Sequence, residues 1–190
     1  GILRTYPQSG TVVASLGVET LEGLIANVLS LEDDQKESLI EVRGMLENYS
    51  ARLAGERMTD EEKAELETIH TEYTKLAKDG FCEKLLELDM LFHLKLAEGA
   101  HNSVLRSLIG LIVPDIIRMG RGTIGSPIRP LKAIVREHDG IVEGIRGNDP
   151  EAVGKAMGKH MAEYVRARKR SDAETRPESD NANAENEEDI

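Results

Sequence analysis

Tryptophan is absent from this 190-residue chain, phenylalanine occurs twice and tyrosine four times, so a core has to be built from aliphatic side chains. The single cysteine, Cys82, excludes an internal disulfide and suits a reducing, cytoplasmic compartment. No apolar run has the length of a membrane span and no signal peptide is recognisable, so no membrane partner is expected. Positive charge is in deficit. Lys and Arg number 24 against 35 Asp and Glu, a formal net charge of -11, which excludes a strongly basic nucleic-acid surface on this segment. Most of that excess lies in residues 171–190, where eight acidic residues face one arginine, Arg176. The length fits one domain with a core large enough to be stable alone. A start at Gly1 instead of Met suits a fragment or a processed chain.

Residues 1–14, GILRTYPQSGTVVA, read as a short β-hairpin turning at Pro7–Gly10. A lone hairpin is marginal in water and needs a body to rest on. From about residue 18 the spacing is helical. Seven segments are expected, at 19–29, 32–57, 59–78, 80–100, 102–120, 127–147 and 149–170. Thr59 with Glu62 forms a capping-box pattern, Asn102 suits an N-cap, and Asp149-Pro150 opens the last segment. Gly80 and Gly147 suit helix ends, and Pro114 predicts a kink. Residues 120–130 read as a loop, and the polar, acidic tail 171–190 as disordered. The fold class expected is all-α, an antiparallel bundle of six or seven helices preceded by the hairpin.

Four polar residues break the apolar stripes of these helices. Asp89 and His93 lie on the face marked by Leu85, Leu88, Phe92 and Leu96. His138 sits among Leu131, Ile134, Val135, Ile141, Val142 and Ile145, and His160 among Val153, Met157, Met161, Tyr164 and Val165. Each taken singly reads as a core residue hydrogen-bonded to its surroundings. Together they also read as ligands converging on one divalent metal, which would satisfy all four. Asp89 and His93 are four apart and can grip one ion. Zn(II) leads among the metals, and Ni(II) or Mn(II) accept the same atoms. His70, at the edge of the Leu66, Ile69, Tyr73 stripe, and His101, at a helix junction, read as surface or structural. Arg43 flanks a face defined by Leu39, Val42, Leu46, Ser50 and Leu53. It reads either as an arginine turned outward or paired with Glu47, or as a guanidinium aimed at a small carboxylate near the metal. Glu137 adjoins His138 but projects about 100° away on its helix, so no general base for a metalloenzyme acting on a small organic acid is evident.

The order of EVRGMLE (41–47), LDMLFHLKLAEGAHN (88–102), EHDGIVEGIRGNDPEAV (137–153) and MGKHM (157–161) resembles the C-terminal effector (FCD) domain of FadR-type regulators in the GntR family. The resemblance spans residues 1 to about 170, and residues 1–16 resemble part of that family's winged-helix wing. It implies an effector-binding helical domain over 17–170, not an enzyme. It carries over the metal ligands to Asp89, His93, His138 and His160, and the effector-carboxylate contact to Arg43. It further implies a homodimer and a small carboxylic acid as effector. The family's recognition helix has no counterpart here, so operator DNA is expected to be bound only through a preceding domain of a longer parent protein.

Overall fold

The computed structural model describes residues 3–6, 10–13, 33–120 and 129–175, with side chains from 38–112 and 129–171. Strands β1 (Leu3–Tyr6) and β2 (Gly10–Val13) pair antiparallel, Leu3 opposite Val13. Six helices follow among the described residues. They are α1 (Asp33–Arg57), α2 (Asp60–Leu76), α3 (Glu83–Gly99), α4 (Ser103–Gly120), α5 (Leu131–Arg146) and α6 (Pro150–Thr175). None is long and apolar enough to cross a membrane. The expected segment 19–29, most of the 120–130 loop and residues 176–190 lie outside the described residues.

Local chemistry sets the helix ends. Thr59 Oγ1 accepts from the Glu62 N–H at 3.2 Å, and Glu62 Oε2 accepts from the Thr59 N–H at 2.9 Å, closing the capping box. Asn102 Oδ1 accepts from Leu105 N–H at 3.1 Å, and Asp149 Oδ1 from Ala152 N–H at 3.0 Å, with Pro150 opening α6. Gly80 takes the left-handed conformation at φ 105°. After α5 that conformation falls on Asn148, at φ 50°, while Gly147 stays helical. Asn tolerates left-handed geometry better than other side-chain-bearing residues. Helix α6 continues to Thr175, five residues into the stretch expected to be disordered. Ala173 and Glu174 are good helix formers, which permits the extension.

Helix α1 is the hub of the antiparallel bundle and touches α3, α4, α5 and α6; α6 also packs on α5, and α2 on α3 and α5. The central cluster is aliphatic apart from Phe92. Leu66, Leu96, Ile141, Ile145, Val153 and Met157 are its most enclosed large members. Each side chain of this kind contributes about 1.5–3 kcal/mol on burial. Of the expected buried face of α1, Leu39, Ser50 and Leu53 are buried and Leu46 is half-buried, while Val42 is exposed. Ile40, Arg43, Glu47, Ala51 and Ala54 are also inward. Two opposite charges occupy the middle of that face and pair with one another, so the buried face is wider than its apolar residues mark.

Candidate metal centre

Three imidazoles from three helices meet in the core. His93 (α3), His138 (α5) and His160 (α6) are 2 %, 0 % and 5 % exposed. They offer ligand nitrogens within 4.8 Å of one another. Asp89, one turn before His93, places Oδ1 3.6 Å from His138 Nε2. The four residues singled out from the sequence are therefore brought together. His93 Nε2, both nitrogens of His138 and Asp89 Oδ1 are buried without a hydrogen-bond partner. Buried polar atoms in native proteins are nearly always satisfied, so a core-histidine reading leaves these atoms unexplained. A divalent cation would take one nitrogen from each of His93, His138 and His160, with Asp89 Oδ1 beside them, a donor set of the right kind.

Two carboxylates that the sequence reading did not assign to the site complete the arrangement; the Arg43–Glu47 pairing it weighed is present. Glu47 Oε2 meets His93 Nδ1 and its other oxygen accepts from Arg43 Nε. Glu137 Oε2 lies 2.9 Å from His160 Nδ1, and its other oxygen accepts from Arg129. Glu137 thus faces the cluster through His160, although it projects away from His138 on its own helix. Arg43-x-x-x-Glu47 was a visible signal, but an i,i+4 pair of this type usually marks a solvated helix face; Arg129 and Glu137, eight apart and not on one helix, gave none.

The electrostatics follow from enclosure and pairing. Burial pushes the Glu47 carboxyl up, yet Arg43 and His93 outweigh it and hold the group well below the usual carboxylate range. Burial also opposes ionisation of Glu137, and the bonds from His160 and Arg129 again win. Burial drives His138 well below its usual value, and the nearby His160, His93, His70 and Arg129 further disfavour a positive charge on its ring. Burial lowers His160 as well, against the raising effect of Glu137. An ionised carboxylate can only accept, so the nitrogen that faces it, Nδ1 on both His93 and His160, is the one that carries a proton.

Arg43 is 3 % exposed, so it does not turn outward; its guanidinium lies 5.2 Å from the Tyr164 ring centroid as well as on Glu47. His138 stacks on Phe92 with centroids 4.2 Å apart and planes 10° from parallel. His70 is buried, with Nε2 2.7 Å from Asp139 Oδ1 and its ring 6.0 Å from His138, while His101 is exposed and bonds Glu62. His70 is thus part of the wall around the cluster, and His101 caps a junction.

Comparison with known proteins gives a consistent answer. Residues 38–163 match the model of the FCD domain. The chain is 22 % identical over 165 residues to the HTH-type transcriptional regulator LutR of Bacillus subtilis (strain 168), covering 85 % of this chain and 74 % of that protein. Among solved structures, Streptococcus agalactiae GntR superposes with a TM-score of 0.65 at 26 % identity, over 87 % of this chain and 75 % of that one. McbR/YncC of E. coli shares the fold, with a TM-score of 0.64 at 17 % identity over 90 % and 78 % of the two chains.

Proposed function

The chain belongs to the FCD domain family of GntR-type transcription regulators, and from that premise we propose that it is a metal-dependent sensor of small carboxylates. His93, His138, His160 and Asp89 would hold the ion, with Zn(II) favoured and Ni(II) or Mn(II) compatible with the same donors. When bound, the ion supplies a Lewis-acidic position open to a carboxylate oxygen. The observation that carries this reading is the set of buried donor atoms left without partners. Arg43 would be the second anchor. Its Nε–H serves Glu47, and the fork of Nη groups is the part matched to an effector carboxylate.

Residues 17–170 would form the sensing and dimerisation domain, and residues 1–16 the end of a DNA-binding wing, in a cytoplasmic regulator that reads operator DNA through a preceding domain. Homodimerisation draws support from Val42, Met45 and Tyr49, an exposed apolar stripe at i, i+3, i+7 on α1. An effector shifts the presentation of two DNA-binding heads only by binding one arrangement more tightly than the other.

Metal analysis of the purified chain, followed by calorimetry against hydroxy-, keto- and dicarboxylic acids, tests the proposal. Stoichiometric metal lost in both His138→Ala and His160→Ala is the expected result, together with at least one acid whose binding requires the metal. Unchanged metal content in both variants would overturn it.

A further inference from the structure

The core contains the same three-residue chain twice. Arg43, Glu47 and His93 run from α1 to α3, and Arg129, Glu137 and His160 run from the segment before α5, through α5, to α6. We propose that Glu47 and Glu137 are positioning residues that lock His93 and His160 in the Nδ1–H tautomer, and that Arg43 and Arg129 hold the two carboxylates in place.

An ionised carboxylate has no proton to give, so the imidazole nitrogen facing it must be the donor. His160 Nδ1 is hydrogen-bonded to Glu137 Oε2 at 2.9 Å, whereas His93 Nδ1 meets Glu47 Oε2 as an ion-pair contact without hydrogen-bond geometry. Donation from Nδ1 leaves the Nε2 lone pair for the centre of the cluster, and Nε2 of His93 has no partner. Arg43 and Arg129 are 3 % and 6 % exposed, and the Glu47 and Glu137 side chains 2 % and 9 %. Buried ion pairs of this kind seldom stabilise a fold more than apolar packing of equal volume, because desolvation offsets their attraction. Two of them, each ending on an imidazole of one cluster, are explained by orientation. The third imidazole supplies a contrast. His138 has no carboxylate on Nδ1 and is held by its stack on Phe92, so its tautomer is not fixed by a relay. The inference rests on the sensing reading for the use of the lone pairs, since outer-shell carboxylates that orient ligating histidines raise their affinity for a metal.

Nitrogen-15 NMR of the imidazoles in the metal-free chain reads the tautomers directly. The expected result is Nδ1–H for His93 and His160. Glu47→Gln should populate Nε2–H on His93 alone, and Glu137→Gln on His160 alone, with the His138 signals unmoved. Zinc affinity, measured by chelator competition, should fall roughly tenfold to a hundredfold in each variant. Where a glutamine variant melts below the assay temperature, Arg43→Lys and Arg129→Lys withdraw the planar fork while keeping the charge, and are expected to shift the same signals in the same direction. Wild-type His93 or His160 in the Nε2–H form, or tautomers and zinc affinity unchanged in the variants, would overturn the inference. Expected tautomers without any zinc binding would support it and overturn the sensing proposal instead.

Discussion

Glu47 stays ionised in a place where burial alone would neutralise it, and its two partners decide the outcome. His138 and His160, in the same cluster, respond the opposite way, because enclosure favours their neutral forms. The sign of the pH dependence follows. A histidine depressed in the folded state contributes stability that is present above its unfolded value of 6.5 and is lost as pH falls through the folded value. Glu47 and Glu137, depressed from 4.5, add stability that is lost in a more acidic window. The melting temperature of the metal-free chain should therefore decline as pH drops below 6.5 and fall again below 4.5. His138→Gln should flatten the first decline in a differential-scanning titration. At Arg43, a charge-assisted hydrogen bond to an effector contributes about 1.5–3 kcal/mol. Arg43→Ala should weaken binding of a responsive acid roughly tenfold to a hundredfold, and Arg43→Lys should not restore it fully. Calorimetry on metal-loaded protein checks both. Asp89 and the three histidines were legible in the sequence because polar residues interrupt apolar stripes. The Arg43–Glu47 pair was legible but read as a surface pair, and the Arg129–Glu137 pair was not legible, because only the tertiary fold brings residues eight apart together and encloses them.

Close packing between helices makes small residues decisive at particular points. The α5–α6 hairpin closes over Gly144, where an added Cβ would lie 2.8 Å from Val153 Cγ2 and 3.0 Å from the Val153 nitrogen. The backbone nitrogen has little room to move, because the following turn is bonded through Asp149 N–H to the Gly144 carbonyl at 3.0 Å. Overpacking of this type costs about 1–3 kcal/mol, against a gain of at most about 1 kcal/mol from alanine's helix preference. Gly144→Ala should lower the melting temperature. Gly110→Ala on α4 meets nothing within 4 Å and should raise it modestly, by at most about 1 kcal/mol. Chemical denaturation of the two variants side by side separates packing from propensity. The capping residues Thr59, Asn102 and Asp149 were readable in advance, since a cap acts within four residues. On α1 the apolar pattern located Leu39, Ser50 and Leu53 correctly but placed Val42 inward, because Arg43 and Glu47 fill the inward positions there as an ion pair.

The whole bundle wraps α1, α3, α5 and α6 around one cluster of charge and leaves an apolar stripe on the outside of α1. Met45, 70 % exposed, and Tyr49, 58 % exposed, lie along it. If two copies pair there, a charge placed at Met45 would have to be desolvated in the interface. Met45→Asp should shift the protein from dimer to a 21.0 kDa monomer in light scattering at tens of micromolar, with its helical circular dichroism intact. A variant that stays dimeric would place the interface elsewhere.

Periodicity by itself determined the helices and the composition of the core, because both depend on residues three or four apart and on the scarcity of aromatics. It also marked the three histidines and Asp89, since a polar side chain inside an apolar stripe needs no partner to be noticed. Only the tertiary structure decided that these side chains face one another, that Glu47 and Glu137 stand behind two of them, and that Arg43 and Arg129 are enclosed. Those facts depend on residues far apart in sequence, on different helices, and on exclusion of water, which gives each buried charge a partner or a cost.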